Sequence, residues 1–530
     1  MIGDPSDATT PESRLPAVLP SAALPSPGAA RTARRWVTTA CMLAMFMAAV
    51  EGTIVAIAMP KIVAELGGFE LFSAVFAAYF LCQAVSTPIY GRLSDLYGRR
   101  PVFLGGAALF LLSSAACGFA WGMVPLVAFR TLQGLGAGAI QPLAITIVGD
   151  IYEPADRARM QGWLSSIWGI SAVAGPALGG FIVQHLSWSL VFWINLPIGA
   201  ATVAILLIYF REDAQPRRHR IDYLGALLLS LGVGAAMLAI VQEESLGPGR
   251  AALLGAFGAL ALAALVVQER RASEPIIPFR LWRHRVIAIG NFGGLAIGAL
   301  MMGVSGFLPT YVQGVMGRSP TVAGAVIATS SVAWSVVGIG ASRMMVRTSY
   351  RTTGAIGGVL LLAGTVLLIA LRPDRGPLWA AAGAFLIGSG LGFCNTTFIV
   401  AVQSAVTLSE RGAATAATMF MRVIGQSLGA AVAGAILNFG VARAVPGAAG
   451  AAGGEINRLL APEMRARLGA ATVARLGEAI AASLHDVYVI TFVLAAATLA
   501  LAWRLPAGLS AGRPAVGPQG TALGASDGDD

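Results

Sequence analysis

Charge is what this sequence of 530 residues has least of: Asp, Glu, Lys and Arg together make up 12% of it. Soluble domains carry about 25%, so a chain that is 56% hydrophobic, with a mean hydropathy of +0.74, is not a string of water-soluble domains. Lysine is nearly absent, Lys61 in Pro60-Lys61-Ile62 being the only one. That excludes a Walker A loop, whose Gly-Lys-Ser/Thr string grips nucleotide phosphates, and no ATP site or other cofactor is expected. The histidines His185, His219, His284 and His485 are scattered and form no HExxH-type metal site. The cysteines Cys41, Cys82, Cys117 and Cys394 lie singly in apolar runs without CxxC spacing, as small buried residues do.

Apolar length is what the chain has in abundance. A bilayer core takes about 20 residues of helix. By that measure fourteen spans follow, at 37–59, 71–90, 102–120, 122–149, 161–183, 188–210, 222–241, 251–268, 286–312, 321–343, 353–371, 377–403, 412–439 and 486–504. The net charge of +10 is no nucleic-acid surface, because the arginines sit in short clusters between these runs. Arg31, Arg34 and Arg35, then Arg92, Arg99 and Arg100, then Arg157 and Arg159 fall on alternate loops. So do Arg211, Arg217, Arg218 and Arg220, the group Arg270, Arg271, Arg280, Arg283 and Arg285, and finally Arg343, Arg347 and Arg351. The positive-inside rule makes those loops, and both termini, cytoplasmic.

Residues 1–35 are polar, lack a signal-peptide h-region and are expected to be a disordered tail, as are residues 506–530. Residues 440–485 form a long loop on the outer side. Within it Leu460, Met464, Leu468, Leu476, Ile480 and Leu484 recur at helical spacing, which predicts an amphipathic helix on the membrane surface or across the outer mouth.

The chain also echoes itself. Gly134-Leu135-Gly136 recurs as Gly390-Leu391-Gly392 at an offset of 256, and Asp156-Arg157 as Glu410-Arg411 at an offset of 254. Duplicated halves mark secondary transporters, whose substrate site lies near the midplane between them. The expected domains are a six-helix bundle over 36–210, a two-helix insertion with basic loops over 211–285, and a second six-helix bundle over 286–505.

The loop after the second span reads Gly91-Arg92-Leu93-Ser94-Asp95-Leu96-Tyr97-Gly98-Arg99-Arg100. Its glycines permit a tight turn, Asp95 suits a helix N-terminus, and Arg99 and Arg100 stay in the cytosol. The string resembles the GxLaDrxGrr signature of the major facilitator superfamily. In that family the loop latches the two halves in the outward-facing state; the matching stretch from Ser342 to Arg351 lacks the acidic residue. The fifth span contains Gly175-Pro176-Ala177-Leu178-Gly179-Gly180, which resembles the GPxxGG antiporter motif and reads physically as a bendable helix with a smooth face.

Further strings narrow the likeness. Glu51-Gly52-Thr53-Ile54-Val55-Ala56-Ile57-Ala58-Met59-Pro60 is similar to the D-x-TIV-x-x-ALP string of fourteen-span multidrug–proton antiporters of the EmrB/QacA type, with Glu51 in place of Asp. Phe192 to Gly199, Leu308 to Gln313 and Arg422 to Gly429 resemble the same group's signatures in spans 6, 9 and 13. The resemblance covers residues 36–505. It implies an all-α major facilitator fold in a bacterial plasma membrane, acting as a monomer that exchanges protons for amphipathic small molecules. A dedicated lipid or natural-product exporter and a proton symporter are the alternatives within transport. A membrane sensor or enzyme is the alternative outside it, with no nucleophile–base pair or metal cluster to support it.

Ionisable groups inside a span are costly and therefore mark function. Only Glu51, Arg130 and Arg422 lie deep, with Asp150 at the inner end of span 4. Counting about 1.5 Å per residue puts Glu51 and Arg130 at the same depth, roughly 12 Å below the outer surface. Glu51 is the expected proton carrier, with Arg130 as its partner. Asp150, with Asp156, is expected to pair with the arginines of the 91–100 loop as a gate. Phe80, Gln83, Gln133, Gln141, Trp168, Asn291, Met302, Asn395, Arg422 and Gln426 are the expected cavity wall, apolar with scattered amides as large amphipathic ligands require.

Overall fold

The structure, a computed structural model, describes residues 27–152, 154–212, 222–241, 247–272, 279–407, 410–444, 459 and 468–507. All regular structure among them is helical. The long helices are α1 Pro27–Leu66, α2 Phe72–Tyr97, α3 Arg99–Gly118, α4 Met123–Ile151, α5 Pro154–His185, α6 Leu190–Tyr209 and α7 Tyr223–Val241. They continue with α8 Pro248–Arg271, α9 Arg285–Val315, α10 Pro320–Arg347, α11 Tyr350–Ile369, α12 Gly376–Ser404, α13 Arg411–Ala444 and α14 Ala470–Trp503. Thirteen are long and apolar enough to cross a bilayer; in α7 the apolar stretch is shorter, Tyr223–Ala236. The chain is a multi-pass membrane protein. Successive long helices are joined end to end, so the arginines of those clusters that lie among the described residues gather at one end of the bundle, the basic end.

Helices α1–α6 pack as one bundle and α9–α14 as another. Across the seam between them α5 lies against α10 and α13 against α2. The inserted hairpin α7–α8 does not stand apart: α7 packs on both α2 and α13, beside the seam.

The duplication has a sharper register than the Gly-Leu-Gly string suggests. A side chain added at Gly134 or Gly138 of α4 would strike the backbone of α2 at Tyr79 and Gln83–Thr87, and one at Gly136 would strike α3 at Phe110. In α12, Gly388 and Gly392 meet α10 at Ser330 and Trp334, while Gly390 meets α11 at Gly357. These pairs match at an offset of 254, the one shown by Asp156-Arg157 and Glu410-Arg411. Gly134 therefore corresponds to Gly388, not to Gly390. Glycine faces of this kind let helices approach closely where water cannot drive them together.

Two ends differ from the sequence reading. Helix α1 begins at Pro27, so residues 27–35 belong to the first helix and not to a tail; residues 1–26 and 508–530 lie outside the described residues. In the 440–485 loop, residues 445–458 and 460–467 lie outside them as well. Leu476, Ile480 and Leu484 are fully buried in the first turns of α14, a single helix from Ala470 to Trp503. Their helical spacing comes from packing of a long spanning helix, not from a separate surface helix.

Candidate functional site

Glu51 and Arg130 sit at 0% and 1% exposure and form an ion pair between α1 and α4. Arg130 Nη1 also donates to Gln133 Oε1 at 2.6 Å, and Nε donates to the Val75 carbonyl at 3.4 Å. Its guanidinium carbon lies 4.0 Å from the centre of the Tyr79 ring, a cation–π contact. On the other side of the carboxylate, Asn195 Nδ2 of α6 donates to Glu51 Oε2 at 2.7 Å and to Ser114 Oγ at 3.0 Å. Gln133 Nε2 donates to Ser114 Oγ at 3.0 Å, and Ser114 Oγ donates in turn to the Phe192 carbonyl at 2.9 Å.

Five helices thus enclose one connected polar network around a single carboxylate, α1, α3, α4 and α6 through side chains and α2 through the Val75 carbonyl and the Tyr79 ring. Inside hydrocarbon such a network is stable only if its members satisfy one another. Each oxygen of Glu51 has its own donor, Arg130 for Oε1 and Asn195 for Oε2. A proton arriving on Glu51 would remove the charge that both Arg130 and Asn195 face, and the network would have to rearrange.

Gln133 therefore belongs to this network and not to an open cavity wall. Met302 departs too: it is buried within α9, its Sδ–Cε end lying over Gly306 where the helix is interrupted. Among the other expected wall residues, Phe80 and Asn291 are buried, Gln83, Gln141 and Asn395 half-buried, Gln426 nearly buried with Nε2 3.3 Å from Met301 Sδ, and Trp168 38% exposed. Arg422 Nη1 donates to Asn395 Oδ1 at 3.3 Å.

Arg99 and Arg100 of the loop from α2 to α3 bond within their own half. Arg99 forms an ion pair with Asp150 of α4, and Arg100 Nη2 donates to the Leu207 carbonyl at 2.6 Å. Gly98 has φ +91°, a turn conformation open to glycine. Gly91 has open space around it. Asp95 is in the last turn of α2 and does not start a helix. The N-terminus of α3 is held instead by Glu212, whose two carboxylate oxygens accept from the Arg99 and Arg100 backbone N–H groups at 2.9 Å each. The side chain of Asp156 lies outside the described residues.

The antiporter string lies at the seam. A Cβ on Gly175 would run into Thr53 Oγ1 and one on Gly179 would meet Ile54 at 2.9 Å, both on α1. One on Gly180 would meet Thr321 Cα of α10 at 2.9 Å, and Gly324 in turn lies against the Pro176 carbonyl. The halves are clamped there, at the end opposite the arginines. Gln313 Nε2 donates to the Ile57 carbonyl at 3.1 Å, Ser427 Oγ to the Ala77 carbonyl at 2.8 Å and Asn438 Nδ2 to the Glu70 carbonyl at 2.8 Å. Thr321 Oγ1 joins the Gly180 carbonyl at 3.3 Å, and the Phe72 and Phe307 rings meet at 5.3 Å. The π turn Tyr311–Val315 that ends α9 carries Gln313 into this clamp.

Two bundles, a glycine seam and a buried carboxylate network agree with what sequence comparison returns. The profile of the Major Facilitator Superfamily matches residues 41–430. The chain belongs to this superfamily. Its members are membrane transporters and not an enzyme class. Multidrug resistance protein 3 of Bacillus subtilis is 34% identical over 413 residues, covering 77% of this chain and 80% of the relative. Multidrug resistance protein Stp of Mycobacterium tuberculosis is 31% identical over 399 residues, 74% of each chain. Among solved structures, a bacterial homolog of the human lysosomal transporter Spinster, in an inward-facing and unoccupied conformation, superposes with a TM-score of 0.61. It covers 89% of this chain and 97% of that one at 15% identity, a likeness of fold alone.

Sequence reasoning does not single out Asn195, Ser114 or Glu212. Asn195 is visible only inside the Phe192–Gly199 string, and Ser114 and Glu212 carry no local signal at all.

Proposed function

We propose that this member of the superfamily is a proton-coupled multidrug exporter of the fourteen-span group, acting as a monomer in a bacterial plasma membrane with both termini cytoplasmic. The basic end then faces the cytosol, and the clamp of α5 on α10 and α2 on α13 closes the outer side. This is an inward-facing state. The α2–α3 loop, held by Asp150, Leu207 and Glu212 of its own half, is in the position of a latch released.

The observation that carries the reading is Glu51, sealed from water and held by Arg130 and Asn195. In the cycle, substrate enters from the cytosol, the halves rock, and a proton taken by Glu51 from the outer side dissolves its ion pair and resets the network. The multidrug names of the Bacillus and Mycobacterium relatives favour amphipathic compounds as cargo.

Everted vesicles with an imposed pH gradient test it. Glu51→Gln is expected to abolish gradient-driven dye accumulation while the protein remains in the membrane. Undiminished accumulation by that variant would overturn the proton-carrier role.

A further inference from the structure

The two arginines deep in the spanning helices, Arg130 buried and Arg422 half-buried, are treated very differently. Arg130 has a carboxylate, an amide oxygen, a backbone carbonyl and two aromatic faces. Arg422, on α13, has one hydrogen bond, 3.3 Å to the neutral amide oxygen of Asn395. Its Nε is buried without a hydrogen-bond partner, and no ion pair among the described residues includes it. One turn away Thr418 Oγ1 donates to Asn291 Oδ1 at 2.8 Å, which leaves Asn291 Nδ2, also buried, as a second donor without an acceptor.

Gly294, Ile297, Asn395, Thr418, Met419 and Arg422 help line a crevice between α9, α12 and α13. The crevice has no room for a water-sized sphere in this state, while the Arg422 side chain as a whole is half-buried. Buried donors without partners are unfavourable, and both deficits here are of one kind, a missing acceptor; at Arg422 that acceptor would also face a positive charge. Arg422 lies eleven residues from the start of α13, about 16 Å along the helix at ~1.5 Å per residue, near the middle of the bundle. The 254-residue register pairs it with Trp168 of α5, so cation and indole take equivalent places on the two helices that cross the seam.

We propose that this crevice receives the carboxylate of an amphipathic anionic substrate, with Arg422 as its counter-ion and with Asn291, hydrogen-bonded behind the lining residue Thr418, as a neighbouring donor. Entry requires the flexible Met419 and Arg422 side chains to shift, and the apolar body of the ligand remains between the halves. The assignment rests on the transport reading above, and names the chemical class of one kind of cargo.

Pyrenebutyrate and its primary amide, matched in shape and differing in charge, are the probes. Binding of each to the purified full-length protein is followed by pyrene fluorescence. A hydrogen-bonded charge pair predicts that the wild type holds the carboxylate about tenfold tighter than the amide or better. Arg422→Gln is expected to erase that preference without weakening the amide, and Arg422→Lys to keep part of it. Equal affinities in the wild type, or no binding of either probe, overturn the proposal, and that arm needs no variant to fold. A preference that survives Arg422→Gln, or a loss of both probes together, overturns it too. Glu51→Gln is expected to keep the preference, so a failure of proton coupling and a failure of anion recognition give different results.

Discussion

Glycine at position 180 offers a direct handle on the conformational equilibrium. A methyl group there would lie 2.9 Å from Thr321 Cα and 3.1 Å from the Pro320 carbonyl oxygen. Both are backbone atoms of the opposite half, so no side-chain rotation relieves the clash. Overpacking a close contact costs about 1–3 kcal/mol. The added methyl is absent from any contact once α5 and α10 separate at this end, so the cost falls on the clamped state alone. Gly180→Ala should lower the ratio of clamped to unclamped protein about 5- to 150-fold.

The assay is electron-spin distance measurement between labels on His185→Cys and Arg318→Cys, with Cys41, Cys82, Cys117 and Cys394 replaced by alanine. These exposed positions flank the clamp on the two halves and leave its own contacts in place. A longer-distance population should grow in Gly180→Ala. Gly136→Ala is the control: its methyl would lie 2.5 Å from the Phe110 backbone nitrogen, within one half. It should lower thermal stability and leave the distance distribution unchanged. Identical distributions for wild type and Gly180→Ala, or an equal shift from Gly136→Ala, would refute the clamp.

Three further outcomes follow from the same contacts. Arg130→Gln leaves Glu51 buried without its cation and should cost about 3–5 kcal/mol, against about 1.5–3 kcal/mol for Asn195→Leu; thermal unfolding in detergent that reverses this order would contradict the network. Glu212→Ala removes the carboxylate at the start of α3 and should cost about 0.5–2 kcal/mol, seen as a lower unfolding midpoint, with pH-driven export retained. If a monovalent anion leaves as one proton enters, two charges move, and an interior-negative potential should favour export by about 4.6 kcal/mol per 100 mV; pyrenebutyrate export indifferent to a valinomycin-imposed potential would exclude that stoichiometry.

The spans and the depth of the rare charges are legible in the sequence because they follow from the chain's own composition. Twenty apolar residues make a helix long enough to cross, and counting along α1 and α4 is enough to set Glu51 and Arg130 at one level. What surrounds them sideways is not legible. Asn195 reaches Glu51 from α6 and Ser114 of α3 bonds Asn195 behind it, and their spacing along the chain says nothing of a contact across 81 residues. Gln133 looks like part of an open wall because a helical wheel shows a polar face and does not say which neighbour covers it. The Gly-Leu-Gly echo misplaces the repeat by two residues for a related reason: in a glycine-rich helix several registers look alike, and only the backbones that the glycines touch decide among them. Asp95 looks like a helix start by type, but the turn at Gly98 comes after it, and Glu212 from beyond α6 takes that place.

The repeat gives the halves one scaffold and lets their charges differ. Gly180 meets Thr321 from α5, and Gly434, 254 residues on, meets Ser73 from α13, so the two seams are built alike. The first half carries a carboxylate and a guanidinium that neutralise each other, and it can be sealed without cost from net charge. The second half carries the Arg422 cation with no carboxylate paired to it among the described residues. Closing the basic end over that cation removes it from water with nothing to balance it, whereas closing over a bound anion does not. Occupancy of the crevice would then favour the turn toward the outside, and an empty transporter would resist it. The charge asymmetry between halves so alike in packing is therefore what would tie proton entry to the departure of cargo.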